Sequence, residues 1–139
     1  MTSRSFVIVL LAILLTIIPF VTGCQNTQQQ PGTLEGIVTI GPIWPVEQMG
    51  ESKPVPPQVF ETRNVIVYSK TGETVIKTID IMQIEQSNKA SYSVQLTPGQ
   101  YVVDITHSGI DSSSEVPKKI EIKAGQTLVL NIDIDTGIR

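Results

Sequence analysis

The sequence predicts an all-β protein: a seven-stranded antiparallel β-sandwich of two sheets, placed behind a removable N-terminal segment and a polar tether. Three observations carry that expectation. No stretch after Cys24 keeps a sustained 3.6-residue apolar period. Short runs rich in Val, Ile, Thr and Tyr alternate with Gly, Pro and Ser clusters, the pattern of strands and turns. Seven such runs fit into about 105 residues, a density that favours a two-sheet sandwich, with an open barrel as the alternative.

Taken in order, Leu34–Ile40 is the first strand. Asn64–Ser69 is apolar on both faces, as a central strand should be. Lys70-Thr71-Gly72 then turns the chain into Glu73–Ile81 as a hairpin. Met82–Gln86 has room for one helical turn at most. Ser91–Leu96 alternates, with Tyr92, Val94 and Leu96 inward and Ser91, Ser93 and Gln95 outward. Thr97-Pro98-Gly99-Gln100 fits a type II turn, with Pro at the second position and Gly at the third. Tyr101–His107 follows, with Tyr101, Val103 and Ile105 on one face and Tyr101 placed as a corner tyrosine that bonds backbone. Lys118–Ile122 turns Ile120 and Ile122 inward. After Ala124-Gly125, Thr127–Ile134 closes the fold on Leu128, Leu130, Ile132 and Ile134.

The N-terminus carries a different signal. Phe6–Val21 is a sixteen-residue apolar run preceded by Arg4, and it ends in Val21-Thr22-Gly23-Cys24, which holds the only cysteine. A charged start, a short apolar stretch and a small-residue exit describe a secretory signal. A spanning helix needs roughly 20 apolar residues, and this run is shorter and contains Pro19. Val-Thr-Gly-Cys resembles the lipobox of bacterial lipoproteins. The resemblance implies cleavage between Gly23 and Cys24, diacylglycerylation of the Cys24 thiol and acylation of the new amino terminus. Gln25–Gly32 has no apolar residue and reads as a flexible tether. The expected organisation is therefore signal peptide 1–23, lipidated Cys24 and tether 24–32, and sandwich domain 33–139. In that family a Gln25, where retained proteins carry Asp, implies transfer to an outer membrane if the host has one.

Removing residues 1–23 leaves 116 residues with 9 Lys and Arg against 13 Asp and Glu, a formal charge of −4. That balance argues against nucleic acid, which requires a basic face, and against a polybasic grip on anionic lipid, so membrane attachment is expected through the acyl chains. With Cys24 acylated no disulfide is available, so stability rests on an ordinary apolar core sized for one domain. No cofactor and no metal site is expected.

Two segments resemble carboxypeptidase-regulatory-like domains, which share a transthyretin-like (prealbumin-like) sandwich. One is Leu34-Glu35-Gly36-Ile37-Val38-Thr39-Ile40-Gly41-Pro42. The other is Tyr92-Ser93-Val94-Gln95-Leu96-Thr97-Pro98-Gly99-Gln100-Tyr101-Val102-Val103, which matches Y-x-V-x-L-x-P-G-x-Y-x-V. The closing Ala124-Gly125-Gln126-Thr127, followed by alternating aliphatics, also fits those domains, and the end Ile132-Asp133-Ile134-Asp135-Thr136-Gly137-Ile138-Arg139 resembles the tail of small bacterial lipoproteins with this sandwich. The resemblance implies an accessory module, a support or a binder of glycan or protein in the cell envelope. Sandwich relatives that hydrolyse 5-hydroxyisourate use several histidines and a Tyr-Arg-Gly-Ser ending, and this chain has neither.

Candidate functional residues are few. Loop 41–62 holds five of the nine prolines and the only tryptophan, Trp44; long loops of this kind are often functional. Trp44 either stacks on a sugar ring or a protein partner, or folds back to cap the core. His107, the only histidine, lies beside Ser108, Asp111, Ser112, Ser113 and Ser114. A hydrolytic centre needs nucleophile, base and orienter in contact; a polar surface loop is the alternative. Asp111, Asp133 and Asp135 offer oxygen ligands for calcium, or simply a solvated face. Arg139 is placed to pair with Asp135 or with the core edge. The expectation is a non-enzymatic, membrane-anchored envelope protein, with a carbohydrate-binding module on Trp44 as the alternative and a cryptic hydrolase on His107 as a third reading.

Overall fold

The computed structural model describes residues 29–45 and 53–138. The expected signal segment 1–23, Cys24, residues 25–28 of the tether, residues 46–52 of the proline-rich loop and Arg139 lie outside the described residues. The elements run in order as β1 (Gly32–Gly41), α1 (Gln58–Glu61), β2 (Asn64–Tyr68), β3 (Val75–Asp80), β4 (Met82–Gln83), β5 (Lys89–Leu96), β6 (Gly99–Ile105), β7 (Lys118–Ile122), β8 (Thr127–Val129) and β9 (Ile132–Asp135). They form an all-β fold of two sheets. One sheet is ordered β4-β5-β1, with β8 and β9 both along the far side of β1; the other is ordered β3-β2-β6-β7.

The alternation in the sequence places the core. Leu34, Val38 and Ile40 of β1 pack with Tyr92, Val94 and Leu96 of β5 in one sheet. Val65, Val67, Val103, Ile105, Ile120 and Ile122 face them from the other. β2 is central, paired antiparallel with β3 on one side and β6 on the other, and its Val65 and Val67 are fully buried.

Several expectations are corrected. The described residues hold nine strand segments, where the sequence pattern gave seven. Residues 82–83 are a strand, not a helical turn: at Ile81 the chain leaves the second sheet and Met82–Gln83 joins β5 in the first. The reversal that follows uses Glu85 and Gln86, both with positive φ. Thr97–Gln100 is not a type II hairpin. Gly99 has φ 159° and already pairs with Ile122, so Thr97-Pro98 carries the chain from one sheet to the other. Tyr101 stiffens that crossing by donating to the Thr97 carbonyl at 2.8 Å, the bond expected of a corner tyrosine. The sandwich is also not wholly antiparallel, because β8 and β9 both run parallel to β1. A connection from one sheet to the facing sheet lets the last strand enter beside β1 in either sense, and apolar alternation carries no direction.

The segment expected as one strand, Thr127–Ile134, is interrupted at Leu130-Asn131 with no change of register. Glu35 stands opposite Val129 and Val38 opposite Ile132, the same offset on both sides of the break. The Leu130 amide still donates to the Glu35 carbonyl at 2.8 Å. Its own carbonyl turns inward, where the buried Tyr92 hydroxyl donates to it at 2.6 Å. The Ile37 amide is met instead by the Asn131 side-chain oxygen at 3.0 Å. Gly36 provides the space, since a Cβ built there would lie 1.9 Å from the Leu130 oxygen. Burial away from solvent holds the Tyr92 phenol protonated, with its pKa pushed far above the usual tyrosine range.

Two substitutions test this arrangement in denaturant titrations of the mature domain. Tyr92→Phe leaves the Leu130 carbonyl without its buried donor and should lower stability by about 1–3 kcal/mol. Gly36→Ala drives a methyl into a backbone oxygen and should cost about 3 kcal/mol or more, at the upper end of overpacking effects. A Gly36→Ala midpoint equal to wild type would show that the strand break is not held as described.

Candidate functional site

β1 and β9 end, and β2 begins and β6 ends, at the same end of the sandwich. The segments that leave them, residues 42–45, 53–63, 106–117 and 136–138, therefore meet there. This loop end gathers Trp44, His107, Asp111 and Asp135, with the remaining candidate carboxylate, Asp133, two residues back on β9.

The proline-rich loop is tied down on both sides. Val55 donates its amide to the Gln86 carbonyl at 3.0 Å, and the Gln83 side chain donates to the Val55 carbonyl at 2.9 Å. Val55 and Phe60 are buried and close the core at this end. Phe60 is held by α1, a single turn that follows Pro57. Proline fixes φ before the first turn, which favours nucleating so short a helix. Trp44 does not cap the core. Phe60 and Val55 fill that place, and Trp44 is exposed at 37%. Its neighbour Ile43 packs against the core instead.

Arg63, directly after α1, is the polar centre of this end. Its Nε and Nη2 donate to one oxygen of Asp111 at 3.0 and 2.7 Å. Its Nη1 donates to the Val59 carbonyl. The side chains are nearly inaccessible, 8% for Arg63 and 1% for Asp111. The other Asp111 oxygen accepts from the Ser108 amide at 2.9 Å and lies 3.0 Å from His107 Nδ1. Burial alone would raise the Asp111 pKa. The Ser108 amide, the Arg63 guanidinium and His107 outweigh it and hold the carboxylate below its ordinary range. His107 itself is partly exposed.

An aspartate that orients a histidine is half of a hydrolytic arrangement. Among the described residues no serine hydroxyl hydrogen-bonds His107, and the serines after it do something else. Ser112 exchanges two backbone bonds with Asp135, covering the outer edge of β9. Ser113 and Ser114 donate to the Glu115 carboxylate at 3.0 and 2.6 Å, and the Asp133 amide reaches it at 3.3 Å. These donors, the Ser114 and Ser113 hydroxyls first, lower the Glu115 pKa to about 2. The serine loop is thus a cover for a strand edge that would otherwise present unpaired backbone groups. Asp133 and Asp135 stay exposed on β9 while Asp111 is buried against Arg63, so the three carboxylates are not brought together. Among the described residues no group of three or more His, Cys, Asp and Glu is placed to hold a metal ion. Thr136 completes the end, donating its amide to the Gly41 carbonyl at 3.1 Å and its hydroxyl to the Pro42 carbonyl at 2.5 Å.

Arg63 and Glu115 escape a reading of the sequence. A lone arginine before an apolar strand gives no sign that its partner lies 48 positions away. The acceptor role of Glu115 depends on which strand edge lies beside it.

No family model matches this chain, and no curated protein matches it. Among solved structures, a minor pilin of Streptococcus agalactiae, GBS52, aligns over 77% of this chain and 45% of its own length, at 15% identity and a TM-score of 0.45. A DUF3823 family protein of Parabacteroides merdae aligns over 76% of this chain and 46% of its own, at 15% identity and a TM-score of 0.41. The chain spans less than half the length of either protein.

Removing one partner of the buried pair should be severe. Arg63→Met strands a buried carboxylate and should lower stability by about 3–5 kcal/mol, and adding Asp111→Leu should recover most of that loss. A double variant as unstable as the single one would contradict this account. Acid is a second test. Both carboxylates are depressed in the folded state, so their contribution is complete above the ordinary carboxylate range and is lost as pH falls. For Glu115 the loss falls between about 4.5 and about 2. Thermal midpoints measured through that window should decline less steeply in Glu115→Gln than in wild type.

Proposed function

We propose that this chain is a lipoprotein anchored outside the cytoplasm through Cys24, and that its β-sandwich is a non-enzymatic binding or structural module of the cell envelope. The observation that carries this reading is the apolar run Phe6–Val21 followed by Val21-Thr22-Gly23-Cys24. The resemblance to carboxypeptidase-regulatory-like domains supports the accessory role, and its motif residues have structural uses: Tyr92 holds the Leu130 carbonyl and Tyr101 the Thr97 crossing. The non-enzymatic part is supported by the occupation of Asp111 and the serine loop in holding the fold. Metabolic labelling with a palmitate analogue tests the anchor. Wild type should incorporate label and partition to membranes, and Cys24→Ala should do neither. Persistent labelling of Cys24→Ala would refute it.

A second reading, a carbohydrate-binding module, is favoured by the exposure of Trp44 beside Pro42 and Pro45, on segments tied to β9 through Thr136. An aromatic face held by a proline-restricted backbone loses little entropy when it stacks on a ring. Because Trp44 is the only tryptophan, its fluorescence reports this site alone. Glycan titration should shift the emission, and Trp44→Ala should weaken retention on the same glycan at least about tenfold, the effect of losing a central aromatic contact. No response across cell-wall and storage glycans would remove this alternative.

A further inference from the structure

The formal negative charge of the chain is unevenly distributed along the sandwich. β1 enters at Gly32 and runs ten residues to the loop end, a span of about 33 Å. The chain before it arrives at the opposite end, where the Pro31 carbonyl accepts from the Gly125 amide at 3.3 Å and Gln30 lies against Gly125. Dividing the described residues at the middle of β1, the half that receives the tether has five lysines against three glutamates. The loop half has two lysines and Arg63 against eight carboxylates. The lysines are also clustered. Lys118, Lys119 and Lys123 line a groove of about 410 Å³ between the edge strand β7 and β8. Lys119 joins Lys70 in a second groove of about 320 Å³ beside it. All four are exposed, and Glu121 is the one acidic residue lining either groove.

We propose that this basic corner, the tether end together with the β7 edge, rests on anionic lipid headgroups of the leaflet that holds the acyl anchor, turning the acidic loop end away from the bilayer. The inference rests on the anchored-lipoprotein reading. The tether leaves the domain beside the lysines, so an anchored chain holds them within reach of the surface. Anionic leaflets attract basic segments over about a Debye length. The same field repels the carboxylates of the loop half, so both ends favour one orientation. Lysines along an edge strand also discourage pairing with other strands, and the two roles are compatible.

The test uses the lipidated mature protein, from Cys24 onward, in vesicles of phosphatidylcholine, alone or mixed with phosphatidylglycerol. Amine acetylation is followed residue by residue by mass spectrometry. On anionic vesicles Lys119 and Lys123 should react about threefold or more slowly than on neutral ones, with Lys53 and Lys89 unchanged. The protection should vanish near 1 M salt, where the Debye length falls to about 3 Å. Equal rates for Lys119 and Lys123 on both vesicles, in protein whose Cys24 carries lipid, overturn this inference and leave the anchor standing. Protein that carries no lipid at Cys24 and fails to float with vesicles overturns both.

Discussion

The arrangement depends on one inward-turned carbonyl. At Leu130 the last strand must leave the regular ladder of β1 and then rejoin it in the same register. A buried backbone carbonyl without a partner would cost on the order of 1–3 kcal/mol, so the interruption needs a donor and a space. Tyr92 supplies the donor and Gly36 the space, from two neighbouring strands. Asn131 restores the bond that the ladder loses at Ile37. With that repair, β8 and β9 both lie along β1, and Leu130, Ile132 and Ile134 join the core. β9 then ends beside Gly41, which brings the C-terminal residues 136–138 against the start of the proline-rich loop.

The loop end is ordered by a second buried polar link. Arg63 follows the proline-rich loop and Asp111 lies in the serine loop, and their pairing fixes one loop relative to the other. A buried ion pair is weak evidence for net stability, because desolvation opposes the attraction. Its value here is geometric. Asp111 uses one oxygen on Arg63 and the other on Ser108 and His107, so both loops have one arrangement that satisfies every partner. The Glu115 carboxylate does similar work at the neighbouring strand edge, with hydroxyl and amide donors in place of a cation.

The core was legible because it is periodic. Alternation in β5 and β7 identified Tyr92, Val94, Leu96, Ile120 and Ile122 as inward residues, and all are buried. The expected bounds of β7 agree with those observed. What periodicity does not carry is direction, sheet membership or a break that keeps register. Thr97-Pro98 reads the same whether it closes a hairpin or crosses between sheets, and Leu130 alternates correctly although its peptide has left the ladder. At the loop end, Trp44 was open between two roles because burial of one large side chain depends on which other side chain fills the core. Phe60 does so from a helix too short to show a period. His107 and Asp111 are four residues apart, so the sequence places them in one loop, whereas Arg63 lies 48 positions from Asp111.

The placement of these two polar links constrains how such a domain can recognise anything. The hydrogen-bonding groups with the best fixed geometry at the loop end are already engaged with one another, so they orient the surface without being the surface. Trp44 and Ile110 remain exposed beside them, on segments whose backbones are held by Thr136 and Asp111. Contacts made by apolar side chains on restrained backbone sacrifice little conformational freedom on binding. They also lack the directional donors that would discriminate closely related polar ligands. In the binding-module reading proposed above, the loop end offers shape and stacking contacts through Trp44 and Ile110. In that same reading, selectivity among polar ligands would fall to exposed polar groups around the rim, such as His107, whose orientation Asp111 sets.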